Sequence, residues 1–568
     1  MSDKSLQSGQ SGRAQNLSEF IPSRQLVVED LEFEAVREGR TRIIIGVLVF
    51  LGVFLLILGR LAEVAVLHEK PGGMSYAQAE EKTRADILDR NGALLATTLQ
   101  TFSLYADTRL VGDPEETAEL LGLVLPDLDY DTVLNRLTSG KEFIWISRNL
   151  TPKERQAVFE LGQPGLAFEV EPRRVYPAGR VAAHVLGWTD VDMVGAAGAE
   201  RAFDVQLMAA PDKPKKLSID LRFQNILTEE LHWGMGRFKA DGAAGVILDV
   251  KTGELLALAS LPDFDPNNYA AALPQTRFNR ATMGTYELGS TFKPLTMALA
   301  LESGIDPERP MPVQKPLIIR RKSIRDDHKS GDPLKMFDVL ADSSNRGTAM
   351  YALEVGDVAQ QEFLRKFGLF DRVPLELAES AAPQLPPEWQ DLTVATVSYG
   401  HGIAVSPLAL ATALSALVNG GDYVTPTLEY RSVGQAQPRR RVIKQGTSDM
   451  MRDMMRYVMT DGTGRNAEVP GFGFMGKTGT AEKPGRGGYQ ERKLVTSFVL
   501  AFPHSDPKYL IFVTYDEPKA APGTYGYATA GWNAAPTAGQ VAERMVTLLG
   551  MPPERKNASL PANATGGQ

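Results

Sequence analysis

Residues Ile43 to Gly59 carry no charge and are almost wholly aliphatic, whereas the rest of the chain alternates apolar and polar positions at shorter range. Pro114 to Leu125 and Asp131 to Leu137 have the spacing of two short helices, with Pro126 breaking the pattern between them. Leu217-Ser218-Ile219-Asp220 alternates as a strand does, and Phe223 to Met235 has helical spacing. Val246 to Val250 and Leu255 to Ser260 read as strands joined through Lys251-Thr252-Gly253-Glu254, a hairpin turn. A largely apolar run, Pro294 to Leu301, is opened by a proline and closed by Gly304, as helices often are. Residues 315 to 333 are polar, and helical segments then continue to about 420. Strand patterns return at Leu494 to Phe502 and Tyr509 to Tyr515, and Val541 to Leu549 is a closing helix. Strands at both ends of a region with helices between them predict an α/β (α+β) sandwich, its antiparallel sheet lying between helices.

The pattern also divides the chain. Helical rise carries the 17 residues from Ile43 to Gly59 roughly 25 Å, and Leu61 and Ala62 can extend the span. Arg42 and Arg60 can snorkel at its ends, which predicts a transmembrane helix over 43–62. A cleaved signal peptide is disfavoured, because Arg60 and Glu63 stand where a cleavage site needs small residues. Arg37, Arg40 and Arg42 precede the span while Glu63, Glu69 and Lys70 follow it. The tail 1–42 is therefore expected in the cytoplasm and everything after about residue 62 outside. Residues 70–215 contain turn signals such as Asp89-Arg90-Asn91-Gly92 but no nucleophile, metal or phosphate-loop spacing, and read as a docking domain. Arg173-Arg174-Val175-Tyr176-Pro177 reads there as surface or interface, and Pro211 to Lys216 as a linker. A second domain is expected over 217–550, and the Pro-, Asn- and Gly-rich residues 551–568 are expected to be disordered.

Composition narrows the function classes. The 568 residues leave room for two or three domains. Apolar content of 43% and charged content of 23% are those of a folded protein. A net charge of −8 argues against nucleic acid as the main partner. There is no cysteine, and the six histidines form no His-x-x-x-His spacing, so no metal site is expected.

Candidate chemistry begins at Glu287-Leu288-Gly289-Ser290-Thr291-Phe292-Lys293-Pro294. In a helix, Ser290 and Lys293 share one face, one turn apart, and Ser290 stands where free N–H groups favour developing negative charge. A serine needs a base to take its proton, and a lysine made neutral by burial and a second cation can serve. Ser505 to Lys508 repeats the spacing, but Asp506 and Pro507 there suit a turn. Ser343-Ser344-Asn345 follows 53 residues after Ser290, and Lys477-Thr478-Gly479-Thr480 another 134 residues on, just before the late strands. Lys251-Thr252-Gly253 repeats the last triplet upstream, in a hairpin turn. Each motif alone is unremarkable, but the ordered trio in suitable local structure points to serine acyl transfer. The glycines at 485, 487 and 488 predict a mobile flap over Glu482 to Gln490.

This ordered trio resembles that of the penicillin-binding proteins and serine β-lactamases. Arg84-Ala85-Asp86-Ile87-Leu88-Asp89-Arg90-Asn91-Gly92, and Arg174-Val175-Tyr176-Pro177 through Ala199-Glu200, resemble the pedestal motifs of the class B penicillin-binding proteins. Ile324-Arg325-Asp326-Asp327-His328 and Tyr399-Gly400-His401-Gly402-Ile403-Ala404-Val405-Ser406-Pro407 resemble the division-specific branch, the septal peptidoglycan D,D-transpeptidases. Leu288 stands where that family commonly has Pro, and Ala85 where it commonly has Gly. The resemblance covers roughly residues 40 to 550.

It implies a transpeptidase that cross-links peptidoglycan and needs no cofactor. Ser290 would be the nucleophile, Lys293 its base and Ser343 the proton relay, with Asn345 holding Lys293 and the substrate amide. Lys477, Thr478, Gly479 and Thr480 would receive the substrate carboxylate, and the N–H groups of Ser290 and Thr480 the oxyanion. Lys293, taken as the more enclosed of the two lysines, would be the neutral one. The expected partners are a D-Ala-D-Ala donor stem peptide, an amine acceptor, β-lactams, a membrane-embedded glycan polymerase and other division proteins. The expected place is a bacterial inner membrane, crossed once, with the catalytic domain in the periplasm; the lack of a repeat module after residue 550 fits that envelope. Alternatives are an elongation-specific transpeptidase, a β-lactamase, and a non-catalytic envelope scaffold, though the last would be expected to lose the reacting groups retained here.

Overall fold

The structure is a computed structural model, and it describes residues 44–60, 84–326, 332–432, 435, 438–485 and 488–554. The chain falls into two compact units, Met1–Glu80 and Glu81–Gln568. In the first, residues 44–60 are helical with exposed aliphatic side chains. Among the described residues no helix is long and apolar enough to cross a membrane. Of the transmembrane helix expected over 43–62, residues 44–60 are helical, and residues 43, 61 and 62 lie outside the described residues. The tail 1–42 lies outside them too, as does 555–568 from the expected disordered end.

The second unit opens with a twisted sheet built on the long strand Leu94–Asp107, which pairs antiparallel with Ile87–Leu88, Phe143–Leu150 and Leu166–Val175. Helices Pro114–Val124 and Tyr130–Leu137 form where the pattern places them, and Asp113 and Asp129 cap their N-termini. These helices bury Leu121, Val133 and Leu137 with Leu104 and Ile146 in a small separate core. Lys215–Lys216, expected as linker, instead pairs parallel with Ile87–Leu88. The buried Asp89 then accepts from Asn91 N, Ala93 N and Leu221 N, tying this sheet to the region that follows.

Arg174 is not at the surface. Its Nε donates to Glu200 Oε1 at 2.7 Å, and Arg84 Nε donates to Glu200 Oε2 at 2.6 Å. Arg84 Nη1 also reaches Asp204 at 2.6 Å, and Nη2 the Glu200 carbonyl at 2.7 Å. The side chains of Arg84, Glu200 and Arg174 are 0%, 0% and 1% exposed, so the Glu200 carboxylate bridges two guanidinium groups away from water, with Asp204 as a second carboxylate on Arg84.

The rest of the unit is a five-stranded antiparallel sheet between helices. Its strands are β1 (Gly242–Asp249), β2 (Leu255–Leu261), β3 (Met475–Gly485), β4 (Gly488–Phe502) and β5 (Tyr509–Asp516), in the order β3-β4-β5-β1-β2. Helices α1 (Leu221–Phe238) and α5 (Ala534–Leu548) cover one face, and α2 (Lys293–Glu302) and α4 (Pro407–Val418) lie under the other. Successive residues feed opposite cores: Ala243, Ile247, Phe498, Leu500, Ile511 and Val513 face α1 and α5. Ala244, Val246, Leu248, Val499, Leu510 and Phe512 face the helical side. Covering both faces explains why the strands read as continuous apolar runs rather than alternating ones. Every residue of α4 is buried, so its sequence is apolar on all sides. The expected strand Leu217–Asp220 makes only one bridge, Leu217 to Glu429; all four residues are buried, and Ser218 Oγ donates to the Leu255 and Thr427 carbonyls.

The Arg84–Glu200–Arg174 group carries a test. Replacing Glu200 with Ala leaves two buried guanidinium groups without their shared carboxylate, and should destabilise the full chain by about 3–5 kcal/mol. Chemical denaturation checks this; a loss below about 1 kcal/mol would mean the arginines find water and the group is not a structural keystone.

Candidate active site

The Ser290 turn is fixed by backbone packing. Gly289 has φ +55, and a Cβ there would lie 2.8 Å from the Thr480 carbonyl oxygen. A Cβ on Gly479 would meet the Leu288 carbonyl oxygen at 2.4 Å. Both glycines are needed because the turn lies directly against β3, the edge strand of the sheet. Thr291 Oγ1 and Ser497 Oγ donate to the Leu288 carbonyl at 2.8 and 3.2 Å. Leu288 and Ala85, the two departures from the family pattern, are both fully buried within intact backbone. Residues Gly289–Phe292 form a 3-10 turn and α2 begins at Lys293, so Ser290 sits one short turn ahead of the α-helix rather than inside its first turn.

Lys293 and Lys477 converge on one residue. Lys293 Nζ donates to Ser343 Oγ at 3.1 Å and also to the Ser343 carbonyl. Lys477 Nζ donates to Ser343 Oγ at 2.9 Å and to the Thr478 carbonyl at 3.1 Å. Both lysines are fully buried. Burial first, and the Lys293 charge second, push the Lys477 amine well below the ordinary lysine range. Lys293 and Lys477 are both fully buried, so exposure does not distinguish the two amines.

Ser343 itself has φ +58, a left-handed conformation that costs a serine about 1–3 kcal/mol and that surrounding structure must enforce. Ser344 caps α3 (Asn345–Val355), its Oγ accepting from Gly347 N at 3.0 Å. Asn345 Nδ2 donates to the Arg325 carbonyl at 3.2 Å.

The remaining expected site residues line β3. Thr478 Oγ1 pairs with Thr463 Oγ1 at 2.7 Å, and Thr480 Oγ1 accepts from Ala530 N at 3.1 Å, which leaves its own O–H to donate. The flap expected over Glu482–Gln490 is strand instead: Lys483 pairs with Gln490, Pro484 with Tyr489 and Gly485 with Gly488, with Arg486 and Gly487 outside the described residues. Tyr489 Oη donates to Glu287 Oε2 at 2.9 Å, and Gly402 N to Glu287 Oε1 at 3.1 Å, so Glu287 ties this ribbon to the Gly400–Gly402 turn. Burial raises the Glu287 carboxyl above its usual range. A cavity of about 540 Å³ lies between Glu287, Gln384, Pro386, Glu482 and Asp516, and none of Ser290, Lys293, Ser343 and Lys477 lines it.

Neither repeated motif approaches this site. Ser505 Oγ donates to Glu554 Oε1 at 2.5 Å, and Lys251 Nζ to Asp506 at 2.5 Å in the hairpin turn. Sequence reasoning passed over Arg346, whose Nε donates to Asp326 at 2.9 Å, and gave no role to Asp326 or Glu287. Nothing in the local sequence marks these pairings. Asp327 and His328, quoted with Asp326, lie outside the described residues.

Two family models match the chain: the penicillin-binding protein dimerisation domain over residues 79–214 and the penicillin binding protein transpeptidase domain over 243–542. The chain is 40% identical over 492 residues to the probable peptidoglycan D,D-transpeptidase FtsI of Caulobacter vibrioides, covering 84% of this chain and 83% of that one. It is 29% identical over 540 residues to the peptidoglycan D,D-transpeptidase FtsI of Escherichia coli, covering 88% and 90%. Among solved structures it is similar in fold to penicillin binding protein 3 of Mycobacterium tuberculosis in complex with aztreonam, with TM-score 0.65 and 24% identity over 83% of this chain and 97% of that one.

The lysine pair makes stability depend on pH. Unfolded, Lys477 keeps its proton to about pH 10.4; folded, it releases it at lower pH, so the unfolded chain binds more protons between the two values. Stability should therefore rise as pH is raised through that window, and Lys477→Met should flatten the rise. Thermal unfolding at several pH values between 7 and 10 measures it; parallel curves for the two proteins would show that Lys477 stays charged when folded.

Proposed function

The chain belongs to the penicillin-binding proteins that join a dimerisation domain to a transpeptidase domain, the class B type, and from that premise we propose that it is a serine D,D-transpeptidase cross-linking peptidoglycan stem peptides at the division septum. The observation that carries this reading is the joint donation of two fully buried lysines to Ser343, beside the turn that presents Ser290.

Ser290 Oγ attacks the carbonyl between the two terminal D-alanines of a donor stem. Its proton passes to the lysine pair, in which burial and the Lys293 charge lower the proton affinity of Lys477. The C–N bond breaks, and the departing D-alanine amine takes a proton relayed through Ser343, which both lysines touch. An acceptor amine then attacks the acyl-enzyme ester; its proton goes to the pair and on to the departing Ser290 oxygen. Lys477, Thr478, Gly479 and Thr480 receive the substrate's terminal carboxylate along the open edge of β3. The N–H groups of Ser290 and Thr480 hold the oxyanion, a contribution of roughly 3 kcal/mol per donor. Asn345 steadies the substrate amide and Lys293.

Penicillin should attach covalently to Ser290, Ser290→Ala should abolish labelling, and Lys293→Ala should slow it by several orders of magnitude. Fluorescent penicillin on membranes and mass spectrometry of the adduct decide this; an adduct on Ser505, or full-speed labelling of the Lys293 variant at neutral pH, would overturn it.

The helix over 44–60, with its flanks, is the anchor in this reading, crossing the inner membrane once with the N-terminus in the cytoplasm and the catalytic region in the periplasm. The first sheet, without acyl-transfer chemistry of its own, docks division proteins, among them a membrane-embedded glycan polymerase. The names of the FtsI relatives support the septal choice. Depleting the protein should then yield long filaments with side-wall growth intact. Rounded, swollen cells under the microscope would assign it to elongation instead.

A further inference from the structure

We infer that Asp326 and Arg346 are positioning residues for Ser343, bracing it between the two lysines from outside the catalytic group. Ser343 is held in a left-handed conformation just past helix Met336–Ala341, where Ser343 N donates to the Leu340 carbonyl at 3.3 Å and Ser344 N to the Val339 carbonyl at 2.9 Å. These bonds set the backbone from before Ser343, and the next three residues fix it from after. Asp326 accepts from Ser344 Oγ at 2.8 Å, from Arg346 N at 2.9 Å and from Arg346 Nε at 2.9 Å. Asn345 Nδ2 adds a fourth bond across the same seam, to the Arg325 carbonyl. Segment 325–326 is thereby stitched to segment 344–346, immediately after Ser343.

Capping alone does not explain this arrangement. Ser344 caps α3 by accepting from Gly347 N and Asp326 by accepting from Arg346 N, but Asp326 also takes the Ser344 O–H and the Arg346 guanidinium, which a helix start does not require. The Asp326 and Arg346 side chains are 6% and 7% exposed. A pair so buried adds little stability over an apolar pair of the same shape, because desolvation offsets its attraction, but it fixes geometry closely. Fixed geometry is what Ser343 needs: its Oγ must meet two amines at once, and a shift of about 1 Å would lose one of them.

The inference rests on the acyl-transfer reading, and its test includes a measurement that does not. In the purified full chain, Asp326→Ala should lower the limiting rate of acylation by fluorescent penicillin about 100-fold, with the initial binding constant changed less than about threefold. That variant leaves Arg346 buried and unpaired and so loses stability, which the double variant Asp326→Ala/Arg346→Met corrects by removing both charges. Melting should recover in the double variant while acylation stays slow. Independently of acylation, both variants should flatten the rise of unfolding temperature with pH, because Ser343 no longer holds the lysines together. Recovery of the acylation rate in the double variant together with a wild-type pH slope would overturn the brace and leave a simple structural ion pair. If the wild-type protein itself fails to acylate, the acyl-transfer reading falls, and the pH slope alone decides for or against the brace.

Discussion

Two amines donate to one hydroxyl where water cannot reach them, and most of the structure serves that constraint. Lys293 and Lys477 are fully buried and both donate to Ser343. Removing an ammonium from water beside a second one is costly, which lowers the proton affinity of Lys477. The enclosure comes from elements far apart in sequence. Helix α2 is buried from Lys293 through Ala300, α4 is buried at every position, and β3 is held against the Ser290 turn by two glycines without room for a Cβ. An enclosed pair of amines therefore needs a large helical core beneath the sheet, which is why the site's three motifs span 191 residues of chain from Ser290 to Thr480 counted inclusively.

The strained residue sits where the two amines meet. Ser343 adopts φ +58, whereas Gly289 adopts its φ +55 without penalty. A glycine at 343 would relieve the strain but remove the hydroxyl that both lysines require. The position thus asks for a side chain and a backbone that oppose each other, and neighbouring residues must impose the result. By contrast, the turn at Gly289 asks only for backbone, and the sequence supplies the residue that satisfies it.

What the sequence made legible follows the same division. Helices, paired strands and the ordered trio are local patterns, and most appear near where they are expected. The misses are contacts between distant residues. Arg174 looked like surface charge because its carboxylate partner, Glu200, is far along the chain. β4 begins at Gly488 rather than Leu494 because its first residues form an exposed ribbon with β3 and carry no apolar alternation. Helix α5 begins at Ala534 rather than Val541 because its first turns bury alanines, whose small side chains give a weak periodic signal. Relative enclosure of the two lysines is likewise a property of the packed core, which spacing does not report.

The false motifs show what gives the true ones their meaning. Lys251 of the upstream Lys-Thr-Gly and Asp506 of the second Ser-x-x-Lys bond to each other at 2.5 Å, with side chains 47% and 77% exposed. There a lysine pairs with a carboxylate and faces water, a contact of small energetic consequence. Lys477 has the same two residues after it, yet its ammonium meets a hydroxyl, a carbonyl and the field of another buried amine. The letters are identical and the surroundings differ. Reactivity in this fold is therefore set by which copy the core encloses. A motif match gains force only when the pattern around it predicts burial: the apolar run after Lys293 and the late apolar strands beside Lys477 did so, whereas the turn residues around Lys251 and Ser505 did not.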